Sequence, residues 1–240
     1  MRSVIVEGTW WSPYQEGQYG ETLVLHVDLS ADEGNEQAAL AVLDELELSR
    51  LKAYLYPGPR RRFSLCRAAL RSILADKLGC RTDQITFAAT EQGKPYARLE
   101  GRPVPVGFNL SHSGNHGLIA ISATGRPVGI DVEERTPRRN LDELASTVCT
   151  PAERAELASS PDHQKLDRFL RLWTAKEAII KAFGTGHTLD VSRLQVPKPL
   201  RKGEPTATFA TPQMPGTIWR LDNLENQPFA AALAQPFPPS

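Results

Sequence analysis

A chain of 240 residues with 40% apolar content is long enough to bury one large core or two small ones. Lysine plus arginine and aspartate plus glutamate both number 28, so the net charge is zero and no global basic field draws the chain to nucleic acid or to an anionic membrane. Anion binding therefore has to be local. Three widely spaced cysteines, Cys66, Cys80 and Cys149, without a C-x-x-C pair or a histidine cluster, argue against a disulfide framework and a zinc site and for reduced thiols. Arg2 is followed by only Val4, Ile5 and Val6 before Glu7, too short for a secretory apolar region, and no run reaches membrane-spanning length. A cytoplasmic protein without a membrane partner is expected.

Residues 1 to 20, rich in Gly, Trp and Tyr, give no clear pattern, whereas Glu21 to Leu29 alternates as a strand does. His26 lies between apolar neighbours in that strand and reads as structural. Glu36 to Tyr54 has helical periodicity through Ala38, Leu40, Ala41, Leu43, Leu46 and Leu51, and Pro57-Gly58-Pro59 interrupts it. A second helix is expected from Arg61 to Leu78, with Gly79 as its C-cap. Arg60, Arg61, Arg62, Arg67 and Arg71 form a basic row on it. That row is either a solvated face or a grip for phosphate, which guanidinium groups bind bidentately.

Asp83 to Ala88 reads as a short strand, and Gly93 and Pro95 in the following turn hold Lys94 on a fixed backbone. Phe108 to Gly114 (FNLSHSG) reads as a polar, turn-forming segment leading into an apolar strand from Gly117 to Ala123. Ser111 beside His112 suggests a nucleophile, but no G-x-S-x-G elbow is present and both groups serve equally well as phosphate donors. Pro127 to Glu133 is an apolar strand ending in acid. Residues two apart on a strand share a face, so Asp131 and Glu133 form a carboxylate pair while Glu134 points the other way. A hard metal ion between them, or a basic neighbour, would relieve the repulsion.

After Pro137, helices are expected at Leu141 to Thr147 and again from Thr150, where Thr as N-cap, Pro151 at N1 and Glu153 at N3 make a capping box. Phe169 to Lys181 is the stretch that concentrates chemistry. At about 100° per residue, Trp173, Lys176, Glu177 and Lys181 fall within an arc of about 140°, while Leu172, Ala175, Ile179 and Ala182 make an apolar stripe. Taken alone, this describes an amphipathic helix with an i,i+4 ion pair. Short strands are expected at Thr206 to Ala210, Thr217 to Leu221 and Phe229 to Leu233, before a frayed tail.

Asp131 and Glu133 on a strand end and Glu177 on a helix amount to three carboxylates suited to magnesium, with Lys94, Lys176, Lys181, His112 and the arginine row as counter-charge. Such a set fits a pyrophosphate-containing substrate, with lysines neutralising a leaving phosphate and a carboxylate deprotonating an attacking hydroxyl.

Four segments in order, GKP at 93 to 95, FNLSHSG at 108 to 114, GIDVE at 129 to 133 and WTAKEAIIKAFGTG at 173 to 186, resemble the signature of the Sfp-type 4'-phosphopantetheinyl transferases. The resemblance spans about residues 36 to 190. It implies an α+β fold of two similar halves, here 1–124 and 125–240, each a small sheet packed with helices, with the active site in the cleft between them. It implies a monomeric enzyme that moves 4'-phosphopantetheine from coenzyme A to a serine of an apo acyl or peptidyl carrier protein, releasing adenosine 3',5'-bisphosphate. By the same resemblance Asp131, Glu133 and Glu177 hold Mg2+, Lys94 and Pro95 border the adenine, and Ser111, His112, Lys176 and Lys181 reach phosphates. Lys181 stabilises the leaving group, and Glu177 or Glu133 takes the serine proton. Arg50, Lys52 and Arg62 are candidates for gripping the 3'-phosphate. Two other readings compete: a magnesium-dependent nuclease or phosphohydrolase, and a coenzyme A binding module without catalysis. Nuclease sites commonly place Lys two residues beyond a strand glutamate, whereas Arg135 stands there, and pure binding needs no carboxylate trio.

Overall fold

The computed structural model describes residues 8–184, 189–224 and 228–237. The chain forms two compact units, one of residues 1–90 and 95–125, the other of residues 91–94 and 126–240. Both combine antiparallel sheet with helices, so the fold is α+β.

In the first unit, strands β1 (Trp11–Tyr19), β2 (Thr22–Asp28), β6 (Gly107–Ser113) and β7 (His116–Ser122) make a sheet in the order β1-β2-β7-β6. Helix α3 (Pro57–Leu78) packs its Leu65, Ala69, Leu70, Ile73 and Leu74 into one core with Leu25, Val27, Ile119 and Ile121 of that sheet. A smaller sheet holds β3 (Ile85–Ala89), β4 (Pro95–Leu99) and β5 (Arg102–Pro103).

Three expectations are corrected here. The helix read from Glu36 to Tyr54 is two helices, α1 (Glu33–Leu40) and α2 (Glu45–Leu51). Asp44 ends the continuity: its side chain accepts from the Glu47 amide at 2.9 Å and Glu47 returns a carboxylate oxygen to the Asp44 amide at 3.1 Å, a capping box that starts a new helix. Pro57-Gly58-Pro59 does separate two helices but also forms the first turn of α3, which starts at Pro57 rather than Arg61, because a missing N–H costs nothing in a first turn. Gly79 closes α3 in the left-handed conformation, φ 64°, as expected. Finally, FNLSHS (108–113) lies in strand β6, paired residue for residue with β7, and of the segment only Gly114 belongs to the turn between Ser113 and His116.

The second unit contains β8 (Gly129–Glu134), α4 (Leu141–Val148), α5 (Pro151–Ala158), α6 (Asp162–Phe183), α7 (Lys198–Arg201), β9 (Thr206–Ala210), β10 (Ile218–Asn223) and β11 (Phe229–Pro236). Its sheet runs β8-β11-β10-β9, antiparallel throughout. Gly129, Asp131 and Glu133 pair with Ala234, Ala232 and Ala230, so the six share one face of the sheet. Small residues there let α6 lie close. A Cβ on Gly129 would stand 2.0 Å from the Ala178 carbonyl oxygen and 2.3 Å from the Ala182 nitrogen of α6. The apolar stripe read from the sequence, Leu172, Ala175, Ile179 and Ala182, is buried in this core with Trp219 and Leu221. Thr185 and Gly186, at the end of the fourth motif, lie outside the described residues, as do Arg2 to Glu7.

Candidate active site

Close packing of α6 on β8 brings acid and base together. Lys181, half-buried in the last turn of α6, donates from Nζ to Asp131 Oδ1 at 2.6 Å and to the Ile130 carbonyl at 3.4 Å. Asp131 is only 4% exposed, so its charge is balanced by that ammonium in a largely dehydrated place. Glu133, two residues on and on the same face, accepts from Arg138 at 2.7 Å. Glu177 lies one helical turn before Lys181 and is half-buried.

Among the described residues, no group of three or more His, Cys, Asp or Glu side chains is arranged to hold a metal ion. The expected trio of Asp131, Glu133 and Glu177 is thus not assembled as one cluster. Two of its members instead spend charge on Lys181 and Arg138.

Lys176 corrects the helical arc read from the sequence. Its ammonium is fully enclosed, 2.7 Å from Glu153 and donating to the carbonyls of Val148 at 2.7 Å and Val191 at 3.2 Å. Glu153, also 0% exposed, accepts in addition from the amides of Thr150 and Val196, both at 2.8 Å. Lys176 therefore bonds inward to α4, α5 and the turn at Val191. Glu153 was legible as a capping-box residue, while its role as the lysine's counter-ion lies 23 positions from Lys176 and carries no local signal.

Lys94 is bonded to the end of α6 and the residue before β8. Its Nζ donates to the carbonyls of Lys181 and Ala182 at 2.9 Å each and of Val128 at 3.4 Å. Burial pushes its pKa down to about 8. Pro95 follows as the half-buried first residue of β4.

In the first unit, Ser111 and His112 are neighbours on β6, and successive strand residues leave on opposite faces. Ser111 shares its face with Leu118 and is 8% exposed, whereas His112 pairs with Gly117 and is exposed. They do not present one joint surface to an anion, as a loop would have allowed.

The arginine row divides. Arg71 is fully buried and bonds Asp44 at 2.6 Å, Glu47 at 2.7 Å and the carbonyls of Thr82 and Ile85. Arg67 lies 3.4 Å from Glu47 and over the Phe87 ring, 4.4 Å from its centroid. These two hold α2 and β3 against α3. Arg50 is exposed and stacks on Phe63 at 5.1 Å, and Arg62 is half-buried in the second turn of α3. Arg135 reaches Asp167 at 2.7 Å and the Phe229 carbonyl, so it is spoken for by the second unit's own framework.

A cleft of about 760 Å3 in the second unit, lined by Leu157, Arg168, Leu172, Ala175 and Arg201 among others, includes none of the carboxylates and lysines placed above on β8 and the end of α6. It is not where the candidate chemistry lies.

The arrangement on α6 and β8 can be set beside known proteins. The family described as the 4'-phosphopantetheinyl transferase superfamily matches residues 127–234, and the family described as 4'-phosphopantetheinyl transferase, N-terminal, matches residues 31–124. The chain is similar to the 4'-phosphopantetheinyl transferase HetI of Nostoc sp., 39% identical over 166 residues, covering 69% of this chain and 70% of that protein. It belongs to the 4'-phosphopantetheinyl transferase superfamily. Similarity extends to AcpT of Escherichia coli K12, 40% identical over 127 residues, 53% of this chain and 60% of that one. It extends also to the 4'-phosphopantetheinyl transferase of Bacillus subtilis, 27% over 172 residues, 72% and 74%. As a 4'-phosphopantetheinyl transferase the chain is an enzyme, and the strand β8 and helix α6 that carry the Asp131–Lys181 pair both fall inside the superfamily match. Among the described residues no helix is long and apolar enough to cross a membrane.

Proposed function

We propose that this transferase moves the 4'-phosphopantetheine group from coenzyme A to a serine of an apo acyl or peptidyl carrier protein, releasing adenosine 3',5'-bisphosphate, as a cytoplasmic monomer. The observation that carries this reading is the Asp131–Lys181 pair at 2.6 Å, in which an ammonium and a sequestered carboxylate meet where α6 closes on β8. Such a lysine is suited to negative charge that grows on a departing phosphate.

Glu177 and Glu133 are the candidates for taking the serine proton, since each is half-buried and within one turn or two strand positions of that pair. Arg50 and Arg62 are assigned to the 3'-phosphate, His112 to phosphate through its exposed ring, and Ser111 and Pro95 to contacts of the coenzyme through their backbone. Lys176 drops out of this set, because its ammonium is committed to Glu153.

Asp131, Glu133 and Glu177 are hard oxygen donors, and in type they fit Mg2+, which would neutralise charge on phosphate oxygens when bound. Magnesium and the two ion pairs to Lys181 and Arg138 draw on the same carboxylates.

The decisive experiment incubates the protein with coenzyme A, magnesium and several apo carrier proteins and weighs the carriers. A gain of one phosphopantetheine, lost in Glu177→Gln and Asp131→Asn, supports the reading. No gain with any carrier, alongside hydrolysis of nucleic acid or of coenzyme A itself, refutes it.

A further inference from the structure

We propose that Lys94 is a positioning residue for the transfer, tying the C-terminal end of α6 to the start of β8 and thereby setting Lys181 and Glu177 against Asp131 and Glu133. The inference rests on the function proposed above for that site. Carbonyls in the last turn of a helix have no partner within the helix, and two of them in α6, on Lys181 and Ala182, accept from Lys94 Nζ at 2.9 Å. The same ammonium reaches Val128 O at 3.4 Å, one residue before β8 begins. Lys181 is thus held at both ends: Lys94 binds its carbonyl and Asp131 binds its ammonium.

Two glycines make room for this tie. Gly129 admits the α6 backbone onto β8. Gly184 closes α6 with φ 70°, and a Cβ there would fall 2.9 Å from Lys94 Cδ. Burial disfavours the charged form of Lys94, so an ammonium in this place is a thermodynamic expense, which suits a group retained for geometry.

The test compares Lys94→Met, which keeps length and loses the charge, with Lys94→Arg, which restores a donor. In Lys94→Met, kcat should fall about tenfold or more while the coenzyme A Kd, measured without carrier, moves less than about threefold, because a loosened positioning group harms the transition state more than ground-state binding. Backbone amides at 178–184 should exchange with solvent about tenfold faster, and Lys94→Arg should recover part of both losses. Matched losses of kcat and coenzyme A affinity with unchanged exchange would make Lys94 a ligand contact and overturn the proposal, as would no change at all. Should Lys94→Met not fold, Lys94→Gln, which stops short of the carbonyls, takes its place with the same criteria. If the wild-type chain transfers nothing to any carrier, the reaction reading falls separately; faster exchange in Lys94→Met then still supports the tie, and unchanged exchange still overturns it.

Discussion

Two lysines five positions apart on α6 have opposite fates, and the difference lies in what each meets. Lys176 is sealed with Glu153, and Lys181 emerges beside Asp131. Lys176→Met leaves a buried carboxylate without its cation and should destabilise the protein by about 3–5 kcal/mol, read from urea unfolding. Adding Glu153→Gln should recover part of that loss; a double variant as weak as the sum of the two single ones would contradict the pairing. Arg138 offers a second test at this scale. Because its ion pair with Glu133 is about a third exposed on the arginine side, it is worth at most about 1 kcal/mol. At the magnesium site proposed above, Arg138→Ala should therefore tighten Mg2+ binding by up to about fivefold, as followed by calorimetry on the coenzyme-free protein. Weaker binding would show that Arg138 supports the carboxylate rather than competing for it. A helical wheel drawn from sequence put both lysines on one polar arc, since it contains nothing of α4 and α5, whose carbonyl and carboxylate claim one of them.

Among the elements, β8 and α6 show how a motif can be structural and chemical at once. GIDVE alternates Gly129, Asp131 and Glu133 on the face that α6 covers, so the glycine that permits close approach stands beside the acids that use it. Gly129→Ala should cost about 3 kcal/mol or more and lower the melting temperature, because a methyl 2.0 Å from a helix carbonyl cannot be absorbed by rotamer changes. An unaltered melt would mean that the helix shifts freely. Much at this scale was readable beforehand: the Thr150 capping box, the Gly79 stop, and β9 from Thr206 to Ala210. Strand β6 was misread as a loop because Asn109, Ser111, His112 and Ser113 carry turn chemistry, and only pairing with β7 makes them extended. The break before α2 was present as Asp44-Glu45-Leu46-Glu47, but apolar periodicity across it was the stronger signal.

For the molecule as a whole, the two units should report on different ends of the pH scale. In the first, His26 Nε2 lies 3.1 Å from His116 Nδ1, and burial, then the neighbouring His116, lower the proton affinity of His26, with Asp28 opposing. A folded pKa below the unfolded value near 6.5 means that the unfolded chain takes up more protons, so stability is lost as pH falls below that value. His26→Gln should flatten the loss between about pH 6.5 and 5. In the second, Lys94 titrates at about 8 folded against 10.5 unfolded, so its contribution rises with pH across that window, and Lys94→Met should remove the rise. Trp10 and Trp11 belong to the first unit and Trp173 and Trp219 to the second, so tryptophan-to-phenylalanine pairs separate the two melts by fluorescence. Acid loss that persists in His26→Gln would assign it to carboxylates instead. Burial pushes the Cys66 thiol up to about 12 and the Cys149 thiol up to about 11, so neither is a ready thiolate. Which residues touch across long sequence separations was beyond composition and periodicity alike.

The four residues 91–94 are a loan from one half of the chain to the other. The backbone leaves its first unit at Thr90, lends Glu91 to Lys94 to the second, and returns at Pro95 before departing for good after Gly125. Genetic dissection at the evident seam, between Gly125 and Arg126, would consequently sever α6 from the donor that finishes it. A fragment starting at residue 126 would carry every acid and lysine of β8 and α6 yet lack Lys94, and a short peptide bearing the Gly93-Lys94 sequence would be its natural complement in a reconstitution.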